Sequence, residues 1–456
     1  MPKATVAFTL TSTPSGDDTA RIQAALNKTA KLPAGPSGLR GAVLLAPGTF
    51  RVHASLALPS GVVLRGSGSN TGGTLLSAQG KPGSLITVGG TGTYSAVGKR
   101  VAVSDAYVPV GARSLTVDTP GSFHPGDQII VQRPTTQNWI NAIGMDQLPG
   151  EAWQPSSGIL AARTITSVAG RVLTLDAPLT TALDKQYGGG SVWHYALDGQ
   201  VTQAGIENLA ADATAFTKDA HYGKPPSGAS ADSGAFAARL ATFRASHDAW
   251  VSNVTLTHFG SGIWAESNAS RITVEQVSDL QMAVPAGLSP PPAFMIGGQQ
   301  ILVKNTTVTG DNIHAWTTQA YAAGPNVFTQ GAAHSLTGTG KVDAGPHLKW
   351  GSGTLYDQLS ITGAQGSFIV RNDYDGGQSG HGWQGANTVF WNTSAARYTL
   401  QRPPTADNWG FGMTGTLTPG KHDADLPTPP ETGTLVSPGA PVQPASLYTQ
   451  QVLERH

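Results

Sequence analysis

The stretch from Asp343 to Trp391 is richer than any other in residue types that do chemistry. It holds Gly345-Pro346-His347-Leu348-Lys349-Trp350, then Arg371-Asn372-Asp373-Tyr374-Asp375, then Gly380-His381-Gly382-Trp383. His347 and Arg371 are 24 residues apart, as are Lys349 and Asp373. In a repeating fold with a coil of that length, such residues stack on one face. Removing the proton beside a uronate carboxylate needs a base and a cation that neutralises the carboxylate. His347 or His381 would be the base, Lys349 and Arg371 the cations, and Tyr374 the donor to the leaving oxygen. Trp350 and Trp383 would stack on sugar rings. A calcium ion could replace a cation, held by oxygens of Asp343, Asp373 or Asp375.

Hydrolysis is the rival chemistry, and it needs one protonated and one ionised carboxyl. Asp343, Asp373 and Asp375 are the candidates, with Asp373 and Asp375 on one face if that segment is a strand. Upstream, Asp311-Asn312-Ile313-His314-Ala315-Trp316 would extend the groove, with His314 and Trp316 touching substrate. Trp139 is a further substrate-binding candidate, and with Asp146, Glu151 and Trp153 it could form a lid. A third chemistry-free reading is a carbohydrate-binding β-protein with no reaction. No His-Glu-x-x-His and no Asp/Gly calcium nonapeptide occurs, so no dedicated metal site is expected.

Composition limits the elements that can position these residues. The chain has 456 residues, 28 basic against 28 acidic, and no cysteine. Neutral charge argues against a nucleic-acid binder. Absent cysteine excludes disulfides, thiolate metal sites and thiol nucleophiles. No apolar run is long enough for a membrane-spanning helix. With 57 Gly and 31 Pro, the chain suits many short strands and tight turns. Met1-Pro2-Lys3 opens without the apolar stretch of a leader, so the expectation is a cytoplasmic protein or one whose leader is removed.

One helix is expected near Asp17 to Leu26, with Ile22, Ala25 and Leu26 on its buried face. Short strands follow to about residue 100. Residues 101–200 read as an inserted β-rich subdomain or flap. From about 200 an amide recurs between alternating apolar residues, at Asn208, Asn253, Gln276, Asn305, Gln358 and Asn392. Those gaps read as two, one, one, two and one coils, which places the main coils at 201–400. Residues 401–456 read as an irregular tail along the solenoid, ending in a short helix near 446–453.

The opening resembles the pectin-lyase-like right-handed parallel β-helix superfamily. Gly16-Asp17-Asp18-Thr19 with Ile22 to Leu26, Pro47-Gly48-Thr49-Phe50, and Leu58-Pro59-Ser60-Gly61-Val62-Val63-Leu64-Arg65-Gly66 carry the resemblance. It implies an all-β fold, a single right-handed parallel β-helix with an N-terminal cap helix and the β-rich insertion. It also implies a secreted or periplasmic enzyme acting on a polysaccharide, since most characterised members are lyases, hydrolases or tailspikes. Gly380-His381-Gly382 is similar to the Gly-His-Gly of polygalacturonases, but that family's other motifs are missing. The reading is therefore a polysaccharide lyase acting on an acidic polysaccharide. A glycoside hydrolase is the first alternative and a noncatalytic binder the second.

Overall fold

A computed structural model describes residues 1–79, 83–121, 123–148, 150–214, 239–282, 290–374, 380–420 and 430–455. The chain winds into a parallel β-helix in which strands of successive coils pair in register. Gly205–Asp212 pairs with Ser246–Thr257, that with Ala269–Leu280, and so on through Ala323–His334, Gly351–Thr362 and Val389–Trp391. Helix Thr19–Thr29 covers the first coil with Ile22, Ala25 and Leu26 buried. Inside the coil, aromatic rings stack coil on coil, with Phe328, Tyr356 and Phe390 at 5.2 and 5.0 Å.

The recurrent amides mark a backbone demand. Asn208, Asn253, Gln276, Asn305, Gln358 and Asn392 all have φ between 49° and 54°. Asn tolerates this left-handed conformation better than most residues, and one such residue bends the strand from one face of the coil to the next. Asn253 Nδ2 also donates to Asn208 Oδ1 at 2.9 Å, an amide rung between coils. Gln330 shares the conformation and fills the missing coil between Asn305 and Gln358. The 45-residue gap is one coil with an excursion, not two, because Glu207 pairs directly with Ser252. Exchanging the exposed Gln276 for glycine removes the left-handed cost, so stability is expected to rise by up to about 1 kcal/mol, read as a higher Tm.

Strands between Ser95 and Ala196 form a separate six-stranded antiparallel sheet. Its core merges with Ala323, Trp350, Tyr374, Trp383 and Ala386 of the solenoid. Arg163 locks the two together. Its buried guanidinium donates to the carbonyls of Ala162, Ala177, Pro178 and Gly324 and to Gln299 Oε1. The coil also runs past residue 400. Trp409–Phe411, Thr414–Leu417 and Thr434–Val436 continue the parallel ladder, so the expected irregular tail begins later. Proline density misled that boundary; Pro403, Pro404 and Pro430 lie between strands, where a missing N–H is harmless. Helix Leu447–Leu453 closes the chain, docked by Ser446 Oγ and the Leu447 N–H on the buried Asp357 carboxylate. Among the described residues no helix is long and apolar enough to cross a membrane.

Candidate active site

The corner after strand Lys341–Pro346 carries His347, Lys349 and Trp350. The next coil fixes this corner through the backbone. The Lys349 N–H donates to His381 O at 3.2 Å and the Trp350 N–H to Trp383 O at 2.7 Å. Lys349 and Trp350 have φ of 46° and 60°. Two consecutive non-glycine residues in this region cost about 1–2 kcal/mol each. Such strain persists only where the surroundings impose it, and it gathers at working sites.

Three histidines from successive coils meet beside this corner. Strand Ile313–Thr318 places His314 in register with Asp343 on the next coil. His314 Nδ1 is hydrogen-bonded to Asp343 Oδ1, and Lys341 Nζ lies 2.9 Å from Asp343 Oδ2. The His347 ring stands 5.2 Å from that of His314 and 4.9 Å from that of His381. His347 Nε2 and His381 Nε2 are 3.2 Å apart.

The charges of this column are set by burial and by each other. Burial alone would raise the Asp343 carboxyl, but His314 and Lys341 hold it well below the usual carboxylate range. Burial drives His347 down to about 3, reinforced by His314 and His381. His347 is therefore a neutral imidazole near pH 7. One of its nitrogens faces His381, and the other, Nδ1, is buried with no hydrogen-bond partner. A neutral imidazole with an uncommitted nitrogen can accept a proton, and the burial that keeps His347 neutral also makes it a weaker base than an ordinary histidine.

The structure brings His314, His347 and His381 together, and it divides the other expected residues. The 24-residue spacing is the true register of the strands, since Lys341 pairs with Gln365 and Ala344 with Phe368. Even so, His347 meets His381, 34 residues on, and not Arg371. At Arg371 the chain leaves the coil for a hairpin, in which Asn372 pairs with Trp383 and Asp373 with Gly382. Arg371 bonds Asp373 at 2.7 Å at the hairpin base. Gly382, at φ 57°, lets that hairpin lie against Met145, because a Cβ there would press on its sulfur. Lys349 turns toward the insertion, 3.6 Å from Glu151. Tyr374 is buried and donates to Gln147 O at 2.8 Å, so its hydroxyl is directed into the insertion and not at a leaving group. Asp375 lies outside the described residues.

Sugar stacking by the tryptophans is corrected outright. Trp139 and Trp316 are 0% exposed, Trp350 2% and Trp383 4%, so no ring face is open to a ligand. Trp316 fills the solenoid interior with its Nε1 on Thr306 Oγ1. Trp139 and Trp350 meet edge to face at 4.7 Å, and Arg133 lies over Trp139 at 3.8 Å. Trp383 Nε1 donates to Ile143 O. These rings are the joint between insertion and solenoid. Of the aspartates expected at a calcium ion, Asp343 is engaged by His314 and Lys341, and Asp373 by Arg371. Among the described residues no group of three His, Asp or Glu side chains is placed to hold a metal ion. Lys341 is the member of this cluster that sequence reasoning missed. Its spacing of two from Asp343 puts both on one strand face, which is the signal that was there to read.

No family model matches the chain, and no curated protein does. Solved structures align with most of the chain. The Gp54 tailspike of Acinetobacter baumannii bacteriophage AP22, in complex with a capsular saccharide, aligns over 89% of this chain and 62% of its own, at 9% identity and TM-score 0.42. The tailspike of E. coli bacteriophage HK620, in complex with a pentasaccharide, aligns over 90% and 55%, at 8% identity and TM-score 0.48. PfbA, a surface adhesin of Streptococcus pneumoniae, aligns over 93% and 89%, at 9% identity and TM-score 0.40. This chain spans less than two thirds of the length of those two tailspikes.

Proposed function

We propose that this protein is an extracellular polysaccharide lyase that cleaves a uronate-containing chain by β-elimination at the histidine column. The likeness of fold chooses no substrate by itself. The observation that carries the reading is His347, neutral, wedged between two imidazoles, with Nδ1 uncommitted. In the reaction His347 takes the proton beside the uronate carboxylate. The electron pair left behind forms the carbon–carbon double bond, and the bond to the leaving oxygen breaks. His381, adjoining His347, supplies the proton to that oxygen. Asp343 orients His314 through the hydrogen bond to its Nδ1. Lys349 is the cation best able to meet a substrate carboxylate, because its pair with Glu151 is long and Glu151 is 60% exposed.

The hydrolase reading loses ground on the same geometry. A hydrolase needs a protonated carboxyl, yet His314 and Lys341 hold the Asp343 carboxyl well below the usual carboxylate range and Asp373 is paired with Arg371. Exchange of Lys349 for alanine is expected to lower kcat/KM on a uronate polymer by about 10²-fold, the scale for losing one charge-stabilising donor. Initial rates on the polymer and on its methyl ester check this. The ester carries no carboxylate charge, so its rate should change little.

A further inference from the structure

A cleft of about 750 Å³ opens among three segments: the end of the insertion's helix Gln137–Ala142 and the loop after it, the base of the 371–384 hairpin, and the loops at 402–406 and 430–431. None of the three column histidines lines it. We propose that this cleft is a second saccharide site, taking an uncharged oligosaccharide segment. The proposal goes beyond the β-elimination reading and does not depend on it.

Size, rigidity and lining carry it. Its volume falls in the range of pockets that enclose small ligands, about 300–1,000 Å³. Its walls are tied to one another before any ligand arrives. Trp383 Nε1 donates to Ile143 O at 3.0 Å, Tyr374 to Gln147 O at 2.8 Å, and Trp139 Nε1 to Thr405 Oγ1 at 3.3 Å. These three bonds join insertion to hairpin and insertion to C-terminal loop, so little ordering is left for binding to cost. The uncharged polar lining is mostly amide, Asn141, Gln147 and Asn372, with Thr405 and Tyr374 beside them. Amides both donate and accept, as sugar hydroxyls do. The charged groups, Arg402 and Glu431, stand 3.6 Å apart at 53% and 77% exposure and offset each other, so nothing there selects an anion.

Asn372 points to the ligand independently. The residue is 6% exposed, and Oδ1 is buried with no hydrogen-bond partner. Its backbone N–H is already taken by Gln401 Oε1 at 2.7 Å. An orphaned buried acceptor is costly, and because Asn372 lines the cleft, a turn of its amide toward that space would offer the acceptor to a sugar hydroxyl.

Ala142 is exposed and lines the cleft, so Ala142→Trp fills the space without disturbing buried contacts. The intact chain and this variant, matched in Tm, are applied to an array of neutral and acidic glycans. The expected result is that neutral glycans are retained by the intact chain and bound about tenfold more weakly, or not at all, by Ala142→Trp. His347→Ala should retain them unchanged. Two results overturn the proposal: no neutral glycan is retained, or Ala142→Trp retains them as the intact chain does. If only acidic glycans bind, and equally to both, the cleft is no saccharide site while the lyase reading stands. Neutral binding without any cleavage of uronate polymers would have the opposite meaning.

Discussion

Replacing His347 by alanine is expected to slow formation of unsaturated uronate product by about 10²–10⁴-fold, the usual weight of a general base. KM should change little, because a general base acts on the proton in flight and its loss falls on the transition state. The pH profile gives the sharper test. An ordinary histidine base loses activity as pH falls through about 6.5. His347 is held down at about 3 by burial and by His314 and His381, so it stays in its working, neutral form far into acid. The acid limb of kcat/KM should therefore lie well below 6.5 in the intact enzyme. A limb near 6.5 would assign the base to a histidine outside this buried position. The ultraviolet absorbance of the product, followed across pH, reads both results.

Asp279→Val is expected to stabilise the protein, by about 1–3 kcal/mol from relief of an unpaired buried polar group. Along the inner face of the coil, register neighbours run Ala211, Leu256, Asp279, Val308, Ala333, Ile361. Asp279 is 0% exposed, and neither carboxyl oxygen has a partner. Burial raises its proton affinity well above the usual carboxylate value. The sign follows from linkage. Below the unfolded value near 3.8 both states are protonated and the native state loses nothing. As pH rises past that value the unfolded chain ionises first, and stability falls until the native carboxyl also ionises. The gain in Tm from Asp279→Val should thus be larger at pH 8 than at pH 4. A gain that does not widen with pH would show that Asp279 is ionised and paired in solution. Valine is chosen because Gly262 packs close to Asp279 Oδ2, which leaves little room for a larger side chain.

The solenoid was legible because its demands recur. A left-handed residue at each bend favours Asn, and the amide series 208 to 392 marks those bends. Chain length alone misjudged coils, since excursions lengthen a gap without adding a turn, as between Asn208 and Asn253. The candidate site was half legible. His347 and His381 stand out by type, and their stack follows from an interval set by the hairpin, not by the strand register. Lys349 and Trp350 are neighbours in sequence but serve opposite ends of one corner, one an ion pair and the other a buried joint. Tryptophan in a Gly-rich segment signals packing as readily as sugar binding. Here the insertion needed a partner for its apolar face, and the four rings that seemed open to substrate are buried: Trp139, Trp350 and Trp383 at that joint, Trp316 inside the coil.

The central claim is β-elimination at the histidine column, and mass spectrometry of the products tests it most directly. The intact chain and His347→Ala are incubated with polygalacturonate, alginate, glucuronan and rhamnogalacturonan. The account predicts fragments whose new non-reducing end lacks one water relative to a hydrolysis product, formed by the intact chain and nearly lost in the variant. Fragments that have gained water, or unsaturated fragments formed equally by His347→Ala, would contradict it.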